Sequence, residues 1–414
     1  MFEKINDPII IKNSNFRGCI FALVFPIYDY REEDLAVLKH LVFDKSMNYD
    51  TDEKIYKVNI NNYCLSYTGG VVFLGNSPFL EFHLSFPSFN SVKKDVLEDN
   101  LYFAKEIIYN PYLIDGFFPS DMVKDTIRLI KNNINRKFKD GKWYYMHRND
   151  TLIDEDNYLV NPILDNINLL DGVDEKTLYR LYKKIISGPP LTFLIGNVNE
   201  EECKKLIKKI ILDNKIEKVV FEKKYNHFVK DVSSDLKMVR EVTNFKTSFV
   251  CHTYKVRDMK CDRDKVLLLI VKKLLYSNDS FLLFDVLRKE NNLVYRCGVS
   301  STLSFGNLSL WAMTGKDNIN SVSNCYDVIM SKISDINFIT SKFSLILNSM
   351  KEKEDLIREN IMDYLVVRIK RFAEFNEKSR YEMMKDITAL EVKNFIDNRL
   401  VLVSKYVGVG EEDE

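Results

Sequence analysis

Histidine binds metal ions and moves protons near neutral pH more readily than any other side chain. This chain has five histidines, at positions 40, 83, 147, 227 and 252. A helical zinc site needs two histidines four residues apart, so that both imidazoles reach one ion, and no two of these have that spacing. His40 lies in DLAVLKHLVFDKS, residues 34–46, an apolar stretch that predicts a helix. By itself, His40 is therefore predicted to pack or hydrogen-bond in that helix.

The seven cysteines give no metal or nucleophile site. They are scattered, their number is odd, and no C-x-x-C occurs. This usage argues against a disulfide framework or a thiolate zinc site, and it favours a reducing compartment. No cysteine lies in a recognisable nucleophile context.

Charge and hydropathy exclude two classes of partner. Lys+Arg and Asp+Glu both number 60, so the net charge is zero and gives no argument for nucleic acid or an anionic membrane. The longest apolar runs are too short to span a bilayer. The amino terminus has early acidic residues and no long apolar stretch, which is unlike a signal peptide. We expect a soluble cytoplasmic protein with no nucleic-acid and no membrane partner.

Two local patterns have a structural and a functional interpretation. SYTGGVVFLGNS, residues 66–77, is rich in glycine, but it lies between strands and no G-K-[ST] follows, so a hairpin is favoured over a phosphate loop. KFKDGKWYYMHRND, residues 137–150, mixes basic and aromatic residues. One such patch on a neutral chain predicts an exposed loop, with peptide contact as the alternative.

The order of elements repeats along the chain. Strand, helix, helix, hairpin, helix and long helix occur twice, offset by roughly 230 residues, so that Leu35 corresponds to Leu267 and Tyr63 to Tyr295. In the second half, a helix is predicted to begin with Ser280 as its cap, and the long helix is predicted to run to about residue 375. The pattern predicts an α+β protein of two homologous domains, each a mostly antiparallel sheet covered by helices on one side. The predicted boundaries are 1–212 and 236–414, joined by a linker over 213–235.

Two stretches resemble the M16 (insulinase-like, pitrilysin) metallopeptidases. FLLFDVLRKENNLVYRCGVSS, residues 281–301, is similar to the family's second-half signature of an LF helix, LRE, a turn, a tyrosine and a strand. Residues 101–140, with NP ending one helix before a charged helix, resemble the first half of catalytically degenerate bacterial members. The resemblance covers nearly the whole chain and implies the same two-domain fold.

The resemblance also implies that the zinc motif is lost. M16 peptidases carry H-x-x-E-H on the first apolar helix, with a further glutamate on a later helix. The alignment places the second histidine on His40, the first on Ala36 and the glutamate on Lys39. The third ligand falls on Lys131 or Asn132, depending on register. A methyl cannot bind zinc and an ammonium would repel it, so no metal is expected in this chain.

In the second half, the resemblance points to Arg288 and Tyr295. They match a family arginine and tyrosine, seven residues apart, that project towards the zinc. The arginine can hold a substrate carbonyl, and the tyrosine hydroxyl can stabilise the oxyanion. Taken without the resemblance, Arg288 is a solvated charge at a helix end and Tyr295 a half-buried strand aromatic.

The expectation is a subunit that is inactive alone. In two-chain M16 enzymes one chain holds zinc and the other supplies the arginine and tyrosine, so the resemblance implies a heterodimer with an H-x-x-E-H subunit and a peptide substrate. Similar bacterial pairs suggest maturation of a ribosomally made peptide as the task. The alternative is a non-proteolytic peptide-binding or assembly protein, as the bc1 core proteins are. An enzyme active alone through other ligands ranks last.

Overall fold

The structure is a computed structural model of the 414-residue chain, and it describes residues 2–5, 7–74, 77–88, 96–153, 162–213, 219–222, 236–259, 261–278, 280–373 and 378–411. The strands in chain order are β1 (Phe2–Ile5), β2 (Ile9–Lys12), β3 (Gly18–Pro26), β4 (Ser66–Leu74), β5 (Ser77–Pro87), β6 (Leu191–Gly196), β7 (Val219–Glu222), β8 (Lys237–Thr243), β9 (Ser248–Val256), β10 (Val294–Thr302), β11 (Asn307–Thr314) and β12 (Leu400–Gly410). The helices are α1 (Glu32–Leu41), α2 (Asp52–Asn61), α3 (Val96–Tyr109), α4 (Ser120–Phe138), α5 (Gly141–Ile153), α6 (Pro162–Asp165), α7 (Glu175–Ser187), α8 (Glu200–Ile210), α9 (Asp262–Leu275), α10 (Leu282–Phe284), α11 (Ile319–Ile333), α12 (Ile336–Glu359), α13 (Ile361–Ala373), α14 (Arg380–Met384) and α15 (Ala389–Arg399).

The chain forms two compact units, and neither is one continuous stretch. The first unit contains Met1–Ile134, Pro162–Lys224 and Asp355–Glu377, and the second contains the remaining segments. Each half of the sequence therefore contributes a helical segment to the unit of the other half. The predicted domains, 1–212 and 236–414, do not include this exchange of segments. Most of the predicted linker 213–235 lies outside the described residues.

The sheet of the first unit has the strand order β2-β6-β3-β5-β4. Only β2 and β6 pair in parallel; the other neighbours are antiparallel. The central strand β3 is apolar along nearly its whole length and buried on both faces, as expected for a strand covered from both sides. Helices α3 and α7 pack on one face. On the other face Leu365 and Ile369 of α13 join the core.

The sheet of the second unit repeats this order as β8-β12-β9-β11-β10, again with one parallel pair, β8 and β12. Helices α9, α11 and α15 supply the main core on one face. The opposite face carries an aromatic cluster in which Tyr145 of α5 packs with Phe249, Trp311 and Tyr406. The predicted fold class, two homologous and mostly antiparallel α+β domains, is confirmed, and each sheet has one additional helix on its second face.

Two predicted elements differ in the structure. Residues 137–150 were expected as an exposed loop, but they span the end of α4 and most of α5, and Tyr145 is fully buried. The long helix expected to run to about residue 375 ends at Glu359, because the Asn360 side chain accepts from the backbone of Met362 and Asp363 and starts a new helix. Among the described helices, none is long and apolar enough to cross a membrane.

Candidate functional site

Helix α1 presents the positions of the degenerate zinc motif. The acidic residues of its first turn are stabilised by the positive end of the helix dipole. Arg31 binds one of them, Asp34, through Nε and Nη2 at 2.7 and 2.6 Å. Leu35 and Leu38 are buried, whereas Lys39 and His40 are exposed. The local sequence therefore forms an amphipathic helix whose outer side carries the motif.

Ala36, Lys39 and His40 share the outer side of α1, because residues three and four apart lie on one helix face. Partial desolvation, assisted by the charge of Lys39, lowers the pKa of His40 from its ordinary value, so the imidazole stays neutral near pH 7. A neutral imidazole can bind a metal, but a methyl and an ammonium are its only neighbours at the family's ligand positions. Within the described ranges, no three His, Cys, Asp or Glu side chains are grouped to hold an ion. These residues do not fit a zinc site.

The end of α1 lies against the edge strand β4. A Cβ on Gly69 would be 2.4 Å from a ring carbon of Phe43 and 2.5 Å from the Glu81 carbonyl oxygen. Gly70 has a φ of +151°, and a Cβ on this residue would lie 3.2 Å from the carbonyl oxygen of Lys39. The glycine pair, predicted as a hairpin feature, is indeed in the β4–β5 hairpin, and it also permits this close approach.

Lys131, at the aligned third-ligand position, is part of an ion pair. Its Nζ lies 2.6 Å from Asp171 Oδ1, in the turn Ile167–Gly172, and the Gly172 carbonyl accepts a long hydrogen bond of 3.5 Å from Arg31 Nη2. The same turn thus contacts the start of α1 and the middle of α4. Lys131 presents an ammonium at the position where the alignment places the family's carboxylate.

The other described histidines have structural surroundings. His252 is buried; desolvation and the charge of Lys405 lower its pKa to about 3, and its Nε2 lies 2.9 Å from Ser323 Oγ. His147 stacks on Trp143. His227 lies outside the described residues. His83 forms a buried pair with Glu81 on β5, a pair that was not predicted. Residues two apart in a strand share one face, so the Glu-x-His spacing could have predicted it.

Arg288 lies in a π-helical turn, Asp285–Glu290, that follows the short helix α10. Such turns replace the α-helical pattern over a few residues and are often found at functional sites. Two residues after the turn, Asn292 has a φ of +50°, and Leu293 N bonds back to the Leu287 carbonyl at 2.9 Å. The helix predicted from Ser280 is thus only partly α-helical, and the chain reverses sharply into β10.

Tyr295 is the extra residue of a β-bulge at the start of β10. Val294 pairs with Thr314, and Arg296 pairs with Met313, so Tyr295 has no residue opposite it. Bulges redirect a side chain and are common beside active sites. The Tyr295 side chain is 65% exposed, and a Cβ on Gly315 would lie 3.7 Å from its hydroxyl. In the described part of the chain this hydroxyl makes no hydrogen bond.

Arg288 is hydrogen-bonded to the backbone next to Tyr295. Arg288 Nη1 donates to the carbonyl of Val294, the residue before Tyr295, at 2.6 Å. Both side chains are otherwise exposed on edge strand β10 and the adjoining turn. The exposed side chains offer a guanidinium and a phenol, two donors suited to a carbonyl oxygen or an oxyanion.

Comparison with known proteins identifies the fold. No family model and no curated protein sequence matches the chain. A conserved protein from Enterococcus faecalis V583 has a similar structure, with a TM-score of 0.81, 17% identity, and coverage of 100% of this chain and 99% of that one. The inactive domain of a peptidase M16 from Pseudomonas fluorescens matches over the full length of both chains, with a TM-score of 0.69 and 9% identity.

The periplasmic protease PqqL from Escherichia coli matches 99% of this chain but only 47% of its own length, with a TM-score of 0.68 and 14% identity. At these identities the comparisons concern the fold alone. The chain has the M16-like peptidase fold, as the resemblance predicts, together with a degenerate zinc motif.

Proposed function

We propose that this chain is the non-catalytic subunit of a heterodimeric zinc peptidase with the M16 fold. In this proposal a partner with an intact H-x-x-E-H holds the zinc, and this chain binds the peptide and supplies Arg288 and Tyr295. The observation that carries the proposal is the contrast between the two units. The first has A-x-x-K-H at the positions aligned with the zinc motif, whereas the second has an exposed arginine and tyrosine, with Arg288 hydrogen-bonded to the carbonyl of Val294 beside Tyr295.

The polypeptide substrate follows from the strand edges. β4 ends the sheet of the first unit, so its outer edge has no neighbouring strand among the described residues. Unpaired N–H and C=O groups on such an edge bind an extended peptide as an additional strand. Short or unfolded polypeptides offer such an extended segment most readily, and they are the substrate class that we propose.

The two side chains then act on the peptide while the partner's zinc supplies the activated water. Arg288 donates to a backbone carbonyl through the N–H groups that Val294 leaves unused. The Tyr295 hydroxyl donates to the oxyanion that develops at the scissile carbonyl, a contribution typically of about a hundredfold in rate. The free state of all seven cysteines supports a reducing compartment, the cytoplasm. Maturation of a ribosomally made peptide is the specific task we propose.

The experiment is to purify the chain alone and together with an H-x-x-E-H subunit from the same cell, and to measure zinc content and peptide hydrolysis. We expect no zinc and no hydrolysis for the chain alone, with both present in the pair. Stoichiometric zinc in the isolated chain would overturn the assignment. A stable pair that binds peptide but never cleaves it would favour the second candidate, a non-proteolytic peptide-binding or assembly protein, which the exposed strand edge also suits.

A further inference from the structure

Helix α2 has an apolar surface that its own unit does not cover. Ile55 is its single buried residue, and it faces the core. Tyr56 and Ile60, one turn apart on another side, are 66% and 56% exposed. Tyr63 and Leu65, which follow the helix, are 49% and 67% exposed. A helix that packs on one side only normally has polar residues elsewhere, so this second apolar side requires another explanation.

These four residues form one continuous surface, the α2 stripe. Tyr56 and Ile60 are neighbours on the helix, and Tyr63 N bonds to the Ile60 carbonyl at 3.2 Å. Leu65 immediately precedes β4, and its N–H already bonds to Ser85 of β5 at 2.8 Å. The α2 stripe therefore leads directly into the edge strand.

The charges of α2 give the α2 stripe no electrostatic preference. Lys54 pairs with Asp50 at 2.7 Å, Lys57 with Glu53 at 2.5 Å, and Lys45 with Asp52 at 3.3 Å. Each charged residue of α2 thus has an opposite charge beside it. The part of a partner that contacts the α2 stripe is therefore apolar rather than acidic or basic.

Size distinguishes a peptide from a subunit interface. A large side chain has on the order of 200 Å² of surface, so four half-exposed ones offer roughly 400 Å². A stable protein interface takes about 800 Å² from each partner. The α2 stripe alone is too small for that, but it is ample for one or two side chains of a bound peptide.

We infer that the α2 stripe is a specificity site for the peptide bound on β4. It binds a large apolar side chain of the same extended segment, near one end of the β4 pairing. This inference rests on the proposed function, because it needs a peptide on the β4 edge. It adds the substrate class: extended polypeptides that carry a leucine-like or aromatic residue at one defined position.

The test uses fluorescent Ser/Thr peptides of nine residues, the length of β4, with two leucines near one end, near the other end, or absent. Burying a leucine side chain favours binding by about tenfold or more, so one leucine arrangement should bind at least tenfold tighter than the leucine-free peptide. Tyr56→Ser with Ile60→Ser should remove this preference. Leu390→Ser, an equally exposed leucine of the second unit at 59%, should keep it.

Backbone methylation separates the two claims. Peptides N-methylated at every residue have no backbone N–H to donate on either edge, so they cannot pair with the β4 edge and should lose binding to every variant. If methylation abolishes binding but the double variant keeps the full leucine preference, the inference is wrong and the peptide-binding function stands. If no peptide binds, both are wrong. If the double variant changes only the association of chains, measured by sedimentation, the α2 stripe is a subunit contact and the inference is wrong.

Discussion

At the residue scale, the decisive change is the replacement of two metal-site groups on one helix face. A histidine to alanine change removes a ligand, and a glutamate to lysine change replaces the general base with a cation. The remaining His40 has a lowered pKa and stays neutral, yet one imidazole does not make a zinc site. The resemblance to the M16 family implies this loss, because the alignment places Ala36 and Lys39 at the family's histidine and glutamate positions.

Restoring only the glutamate should therefore restore nothing. We expect Lys39→Glu to leave the isolated chain without zinc and without peptidase activity, because Ala36 still provides no ligand. Adding Ala36→His places two imidazoles four residues apart, and we expect measurable zinc affinity from that double variant in equilibrium dialysis. Zinc binding by Lys39→Glu alone would show that other side chains complete a site with His40.

Buried His252 should make the second unit acid-sensitive. Its pKa is about 3 in the fold against 6.5 in an open chain, so below about pH 6.5 the unfolded state takes up a proton that the folded state does not. The stability is thus complete above pH 6.5 and is lost as the pH falls towards 3, on the order of 4 kcal/mol over the whole range.

Urea unfolding at several pH values checks this expectation. His252→Gln, which does not titrate, should show a shallower loss of stability between pH 6.5 and 4 than the natural chain. Equal slopes for the two proteins would contradict the buried neutral imidazole.

At the scale of elements, the candidate residues are positioned by packing between elements and by irregular backbone geometry, rather than by helix or strand propensity alone. Gly69 and Gly70 allow α1 to lie against β4, and the bulge at Tyr295 with the π-helical turn at Arg288 aims the second pair. The sequence predicted the helices and the hairpins from periodicity and turn residues, whereas Arg288 and Tyr295 were singled out by the resemblance to the M16 family. The sequence could not predict the bulge, because the bulge is defined by how β10 pairs with β11, and it had no local signal for the π-helical turn.

The same limit explains the misassigned segment 137–150. Its basic and polar residues suggested an exposed loop, and its apolar residues follow no clear helical period. Tyr145 is buried because Phe249 and Tyr406 of distant strands pack against it. Its hydroxyl bonds to Thr243 at 2.5 Å. Tertiary contacts of this kind have no local signature.

Gly69→Ala should destabilise the first unit. The new methyl would meet the Glu81 carbonyl oxygen at 2.5 Å, a backbone atom that cannot easily move, so we expect a loss of about 1–3 kcal/mol in the free energy of unfolding. Gly172→Ala is the matched control, because nothing lies within 4 Å of its Cβ position. Comparable urea midpoints for the two variants would refute the tight packing of Gly69 against Phe43 and the Glu81 carbonyl.

At the scale of the whole molecule, the two halves of the sequence are not independent. Helix α13, from the second half, buries Leu365 and Ile369 on the first sheet, and α5, from the first half, buries Tyr145 on the second. The internal repeat and the fold class could be predicted from the order of elements. The exchange of helices between the two units could not be predicted, because the sequence between α12 and α13 does not indicate on which sheet α13 packs.

A fragment of residues 1–212 should therefore not fold cooperatively. It lacks Leu365 and Ile369, and removing even one such buried side chain typically costs about 2–5 kcal/mol. Co-expression with 213–414 should restore a soluble, cooperatively unfolding complex. A cooperative thermal transition for the first fragment alone would show that α13 is dispensable.

The most direct test of the central claim is the turnover of the reconstituted pair with Tyr295→Phe in this chain. We predict that kcat falls by about a hundredfold while KM, zinc content and subunit assembly are unchanged, and that Arg296→Ala, an exposed neighbour on the same strand, has no effect. Unchanged turnover in the assembled Tyr295→Phe pair would contradict the role of this chain in the partner's active site.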